Sequence, residues 1–325
     1  MENVLHIGII GLGRRWQKRY KPALRVLRRR FSVRVLCDQL PELATREAKQ
    51  MACDVAAGPT QLLERDDVDA VLLLDAQWFR LWPLERACQT GKPIFCCCSL
   101  ETDDAHADEL YRQVRESRLR VVMEMAPRFM RVTARLRELL ETQLGTPRLL
   151  LCEAVHTRKD PARFRFARTP PLTPVSTVVG GDDIALLDWC AWLLGSEPLN
   201  VTARSLKPSG FSSLFLEFAG GRGVQLTRRR GVAQRPAVRL EIVAERGTAS
   251  VDLPYEVSWT TKDGFHSQTF RGRRPLAELL LERFRDVVQG NATLEPTLED
   301  AYRVLRWLRV AARSQDEGRL LTLTA

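Results

Sequence analysis

The sequence predicts an α/β protein in two parts: an N-terminal doubly wound parallel sheet, then an α+β domain built on a large, mostly antiparallel open sheet. Three observations predict this. Through the first third, short apolar runs alternate with helical patterns, the spacing that lays strands parallel with helices between them. The run Val68–Leu74 is almost purely apolar, as expected of a strand covered on both faces. From 198 to 270, strand signals follow one another with only turn residues between, which favours antiparallel pairing. A length of 325 residues suits two cored domains. The texture changes near 125, so the expected division is 1–125 and 126–325, with the C-terminal helices free to pack back on the first domain.

The elements follow in order. Val4–Ile10 is a strand and Trp16–Arg29 a basic amphipathic helix, with Arg28-Arg29-Arg30 suited to the negative end of its dipole. Ser32–Cys37 is a strand, Pro41–Met51 a helix and Asp54–Ala57 a short strand. After Val68–Leu74 comes a helix from about Trp78 to Thr90, with Gly91 placed as its left-handed cap. Pro93–Cys98 is the next strand. Thr102 can cap a helix whose first turn carries Asp103 and Asp104, and Arg120–Met123 completes the set.

The second part opens with a helix over Met130–Thr142 and a strand over Leu149–His156. The spacing of Ile184, Leu187, Ala191 and Leu194 makes Asp183–Leu194 a helix, stopped by Gly195. The strands are Asn200–Ser205, Ser213–Phe218, Gly223–Arg228, Val238–Ala244, Ala249–Leu253 and Glu256–Thr260. Helices close the chain at Leu276–Gln289 and Ala301–Arg313, the latter behind a near capping box from Thr297 to Asp300.

Composition sets bounds on function. Hydrophobic residues make up 45% and charged residues 28%, ordinary for a globular protein. No apolar run approaches the roughly 20 residues that span a bilayer, and the N-terminal stretch lacks the charge order of a secretory signal. No membrane partner and a cytoplasmic location are therefore expected. The net charge is +10, and only seven of the 50 basic residues are lysine. No nucleic-acid motif accompanies that charge, so nucleic acid is not expected as a partner and the arginines read as solvated faces.

Chemistry concentrates at the first turn. A buried strand running into Gly11-Leu12-Gly13 and then a helix carrying Arg14 and Arg15 is the opening of a dinucleotide-binding unit. The glycines permit a tight turn and close approach of a pyrophosphate. Asp38 ends the second strand, where a carboxylate takes ribose hydroxyls and repels a 2′-phosphate; NAD is favoured over NADP. The fold class is thus α/β, an N-terminal Rossmann doubly wound parallel sheet plus the C-terminal α+β domain with its large, mostly antiparallel open sheet. The third fingerprint position holds Trp16, whose ring is expected to tilt the helix or shift it from the strand.

The chain resembles the glucose–fructose oxidoreductase/inositol dehydrogenase/rhizopine catabolism (Gfo/Idh/MocA) family over nearly its whole length. The matching stretches are Gly8–Gly13, Asp66 through Val71, Gly91-Lys92-Pro93 through Leu100, Arg128-Phe129, Asp188 through Gly195, Glu245 through Thr248, and Ala312-Arg313-Ser314. The resemblance implies a nicotinamide cofactor, hydride exchange with a carbinol carbon of a sugar or cyclitol, and homo-oligomers through the C-terminal sheet. It extends the cofactor set from Gly11, Leu12, Gly13, Arg14, Arg15 and Asp38 to Ala76, Gln77, Arg80, Cys97 and Cys98.

The departures fall on the chemistry. The family's Glu-Lys-Pro aligns with Cys97-Cys98-Ser99, placing Cys98 at the lysine position, and Ala185 stands where the family keeps histidine, three residues before Asp188. The family's Pro and His after the preceding strand become Ala76 and Arg80. No lysine occurs between Lys92 and Lys159, and no histidine between His156 and His266. Carbinol oxidation needs a proton acceptor, and the remaining candidates are Asp188 and His156.

Arg128, Asp182 and Asp183 are candidates for a substrate pocket, although the two aspartates read best as caps of their helix. The run Cys96-Cys97-Cys98 reads as structural. Alternate strand residues face opposite sides, so only Cys96 and Cys98 share a face, and no metal site is expected. Two readings follow: an oxidoreductase homologue with lost or altered activity, or a ligand-binding or regulatory protein on the same fold without cofactor.

Overall fold

The computed structural model describes residues 4–75, 79–97, 104–157, 181–206, 210–231, 237–270 and 274–323. The chain divides into two compact units, Met1–Glu124 with Arg274–Tyr302, and Met125–Arg273 with Arg303–Ala325.

The first unit is built on six strands, β1 (Leu5–Ile10), β2 (Phe31–Cys37), β3 (Asp54–Val55), β4 (Ala70–Leu73), β5 (Ile94–Cys96) and β6 (Val121–Met123). Their spatial order is β3-β2-β1-β4-β5-β6, with every neighbouring pair parallel. The order reverses between β1 and β4, the switch point at which open α/β sheets bind ligands beyond the carboxyl ends of their strands. All four residues of β4 are buried, as its apolar run requires. The connecting helices are α1 (Lys21–Val26), α2 (Pro41–Met51), α3 (Pro59–Leu63), α4 (Trp82–Thr90) and α5 (Asp104–Ser117). Gly91 caps α4 in the left-handed conformation with φ 71°.

Two local results differ from the sequence reading. The expected single helix over Trp16–Arg29 is a π-helical stretch at Trp16–Tyr20 followed by α1, which ends at Val26. The helix expected from Trp78 starts at Trp82, after a turn in which Arg80 has φ 48°. Pro83 sits in its first turn, where the missing N–H has no helical partner to lose.

The second unit carries α6 (Arg131–Leu139), continued by a π-helical turn to Leu144, then β7 (Pro147–Thr157) and α7 (Gly181–Leu194). Strands β8 (Pro198–Leu206), β9 (Phe211–Phe218), β10 (Arg222–Gly231), β11 (Ala237–Ala244), β12 (Gly247–Leu253), β13 (Glu256–Thr261) and β14 (Gly264–Thr269) follow. The helix α8 (Leu276–Val288) belongs to the first unit, and α9 (Leu298–Glu317) is divided between the units after Tyr302.

A final short strand, β15 (Leu321–Thr322), completes a nine-stranded sheet in the order β14-β13-β12-β11-β7-β10-β9-β8-β15. Its pairs are antiparallel except β7 with β10. Along β11, Leu240, Ile242 and Ala244 are buried while Arg239, Glu241 and Val243 are not, so one face forms core. The other face carries cross-strand ion pairs such as Arg239–Asp252 at 2.8 Å and Arg229–Glu153 at 2.6 Å. No helix among the described residues is long and apolar enough to cross a membrane.

Candidate functional site

The first unit's candidate site grows from the turn after β1. Gly11 has φ +89°, and a Cβ built on it would lie 2.1 Å from the carbonyl oxygen of Asp75 and 2.6 Å from its nitrogen. Only glycine fits, because the backbone leaving β4 crosses directly against this turn. The crossing is fixed by Leu74 N–H donating to the Ile10 carbonyl at 2.9 Å, while Gly11 N–H donates to the Cys37 carbonyl at 2.9 Å.

Asp38 ties the turn to the end of β2. One of its oxygens accepts from Leu12 N–H at 2.7 Å, and the other accepts from Leu40 N–H at 3.0 Å ahead of α2. The half-exposed carboxylate thus stands beside the glycine turn, where a ribose hydroxyl would be read. Gly13 is tight for a second reason: a Cβ there would lie 2.6 Å from Asp75 Oδ2. Arg14 and Arg15 are exposed on the helix that follows.

Trp16 packs toward α2. Its ring is fully buried and its indole N–H donates to Glu47 Oε2 of α2 at 2.9 Å. Lys21 Nζ lies 2.6 Å from the same oxygen and donates to Gln50 Oε1 at 2.7 Å. Burial pushes the Glu47 carboxyl up, but the hydrogen bonds from Lys21, Trp16 and Gln17 outweigh it and hold the carboxyl down at about 2. The π-helical turn, closed by Lys21 N–H to the Trp16 carbonyl, sits over the residues that carry this buried cluster.

A further group of side chains meets at the carboxyl ends of β5 and β6. Glu124 accepts from Tyr20 Oη at 2.7 Å and pairs with Arg19 at 3.1 Å and Arg15 at 3.4 Å. Cys97 Sγ lies 3.5 Å from Tyr20 Oη. Burial pushes the Cys97 thiol well up, with the Glu124 charge adding to it, and the Tyr20 phenol is raised by the same two causes and by Cys97. Both groups therefore stay protonated at neutral pH and are poor bases.

In the second unit, Arg128 leaves a 3₁₀ turn at Ala126–Phe129 and forms a two-pronged pair with Asp188 of α7, with Nε to Oδ2 at 2.7 Å. Asp188 is fully buried. Arg303 stands 3.9 Å from Asp188 and binds Glu197 at 3.0 Å, and the Arg128 guanidinium lies over the Trp192 ring at 5.4 Å. Asp183 is buried in the first turn of α7 and meets Arg228 of β10 at 3.0 Å.

No protein-family model matches the chain. The inositol 2-dehydrogenase of Mycolicibacterium gilvum is 27% identical over 308 residues, covering 88% of this chain and 84% of the relative. Inositol 2-dehydrogenase 2 of Saccharopolyspora erythraea is 26% identical over 246 residues, 73% of this chain and 68% of its own. Among solved structures, myo-inositol 2-dehydrogenase from Lactobacillus plantarum superposes with TM-score 0.82 at 15% identity, covering 99% of this chain and 100% of its own. The aldose-aldose oxidoreductase from Caulobacter crescentus gives TM-score 0.82 at 17% identity with the same coverage. These likenesses support the resemblance to the Gfo/Idh/MocA family and its fold.

Set on the family frame, the expected site residues fall into two groups. Gly11, Leu12, Gly13 and Asp38 come together as one turn, with Arg14 and Arg15 on the helix after it. Cys97 is near-buried beside Tyr20, Arg80 is exposed in the turn before α4, and Ala76, Gln77 and Cys98 lie outside the described residues. Arg128 and Asp188 are paired, Asp183 faces Arg228, and Ala185 is half-buried on α7. Asp182 is helical and His156 sits in β7 opposite Arg230, but the side chains of both lie outside the described set. Cys96 and Cys97 are buried, and no metal-holding group of His, Cys, Asp or Glu occurs among the described residues.

The sequence reading overlooked Asp75, Glu124, Tyr20 and Glu47. Asp75 and Glu124 carried a usable signal: each is a carboxylate just past the end of a parallel strand, the position at which such sheets place functional groups. Tyr20 and Glu47 carried none, since each is defined by a partner in a distant segment.

Proposed function

We propose that this protein is an NAD-preferring Gfo/Idh/MocA oxidoreductase homologue whose usual proton-transfer lysine and histidine are replaced. Hydride exchange is then lost, or rebuilt on other groups, with loss the favoured outcome. The observation that carries nucleotide binding is the Gly11–Gly13 turn locked to Asp38 through Leu12 N–H. The missing Cβ atoms and the carboxylate at the end of β2 fit a dinucleotide, with Gly11, Leu12, Gly13, Arg14, Arg15 and Asp38 as the residues that hold it. When bound, the nicotinamide would supply a hydride acceptor or donor.

Loss of turnover is supported by what the chain offers as a base. Ala185 and Cys98 stand at the two family positions, and Asp188 is spoken for by Arg128 in a buried pair. A carboxylate held by a guanidinium is a weak proton acceptor. The expected ligand is a sugar or cyclitol, by analogy with the inositol dehydrogenase relatives. A homo-oligomer formed through the nine-stranded sheet and a cytoplasmic location belong to the same proposal.

Calorimetric titration with NAD(H) and NADP(H), followed by turnover assays on inositols, aldoses and their acids, tests the proposal. NAD(H) is expected to bind more tightly than NADP(H), with little or no reduction of NAD. Absence of binding at millimolar cofactor would remove the nucleotide claim, and robust turnover would remove the claim of lost catalysis. The second reading, a ligand-binding or regulatory protein without cofactor, is favoured by the position of Asp75 against Gly13.

A further inference from the structure

A dinucleotide site keeps its second glycine bare so that a pyrophosphate can approach the backbone closely. In this chain a side chain of the protein already stands against that glycine. A Cβ on Gly13 would meet Asp75 Oδ2 at 2.6 Å, with the carboxyl carbon at 3.6 Å and Asp75 Cβ at 3.9 Å. The nearest neighbour is thus the charged tip of the side chain.

The backbone of Asp75 has little room to carry that tip away. Its carbonyl oxygen and nitrogen lie 2.1 Å and 2.6 Å from where a Cβ on Gly11 would be, and Leu74 N–H is bonded to Ile10. Relief has to come from rotation about the side-chain bonds of Asp75.

We propose that Asp75 is an affinity-determining residue of the nucleotide site: its carboxylate stands beside Gly13 as an internal anion, and a dinucleotide binds only by displacing it. The proposal rests on the reading of the Gly11–Gly13 turn as a dinucleotide site. It makes the chain a weak binder of NAD(H), with the loss located at the pyrophosphate and not at the adenosine. One carboxylate close to a diphosphate in a half-exposed groove weakens binding by roughly tenfold or more after solvent screening.

The test compares the full-length protein with Asp75→Asn and Asp75→Thr, titrated by fluorescence with NADH and by calorimetry with ADP-ribose and adenosine. Both variants are expected to bind NADH and ADP-ribose at least about tenfold more tightly than the unmodified chain, with adenosine unchanged. Dissociation constants within twofold of the unmodified protein would overturn the role of Asp75. If the unmodified chain binds NADH at micromolar levels and the variants match it, the nucleotide site stands and only the inference falls. If neither binds at millimolar NADH, both fall. A measurement on the unmodified protein needs no variant to fold. Adding the diphosphate and second ribose to adenosine should improve affinity by less than about tenfold, and a hundredfold gain would refute the internal anion.

Discussion

Replacing Glu47 with glutamine should cost the first unit several kcal/mol at neutral pH and much less in acid. In the folded protein the carboxylate is almost fully buried and receives Lys21 Nζ at 2.6 Å and the Trp16 indole N–H at 2.9 Å. Its pKa falls from 4.5 to about 2, a difference of 2.5 units, which corresponds to about 3 kcal/mol at 1.36 kcal/mol per unit. A carboxyl depressed on folding adds stability above its unfolded pKa, and loses it as pH falls through the folded value. The window therefore runs from about pH 4.5 down to about 2.

Glu47→Gln also leaves the Lys21 ammonium, itself near-buried, without its counter-charge, and breaking a buried pair from one side costs about 3–5 kcal/mol. Urea unfolding of both proteins at pH 7, 5 and 3.5, followed by tryptophan fluorescence, reads the effect. The gap should be about 3–5 kcal/mol at pH 7 and narrow visibly at pH 3.5. A gap below 1 kcal/mol at pH 7, or one that does not change with pH, would refute the assignment of this cluster as a buried charge pair.

Trp16→Ala should destabilise the first unit by about 3–5 kcal/mol, because it empties a fully buried site and removes a donor to Glu47; thermal melts check this. Arg128→Ala strands the fully buried Asp188 carboxylate and should cost the second unit about 3–5 kcal/mol, with Arg128→Lys recovering only part of it, as measured by denaturant unfolding.

The fold was largely legible in the sequence. An all-apolar strand announces a sheet covered on both faces, and β4 is buried at every residue. Successive strand signals with only turn residues between them announced the second sheet, and β11 shows the alternating burial of a strand with one core face. The strand β14 was missed because all six of its residues are exposed and carry no apolar alternation, and β15 because it is two residues long. The glycine turn was legible too, since Gly11, Gly13 and Asp38 need only strand ends and a tight turn to be placed.

What the sequence alone determined is therefore local: the period of each element, the glycine turn and the aspartate that closes β2. The tertiary structure decided the partners. It put Trp16 on Glu47 across 31 residues, bound Asp188 to Arg128 across 60, brought Asp75 against Gly13, and grouped α8 with the first unit. The reason is physical. Backbone geometry and side-chain periodicity act between near neighbours, whereas the charge state and availability of an acid, a base or an anion site depend on groups that only the folded chain brings within hydrogen-bond reach.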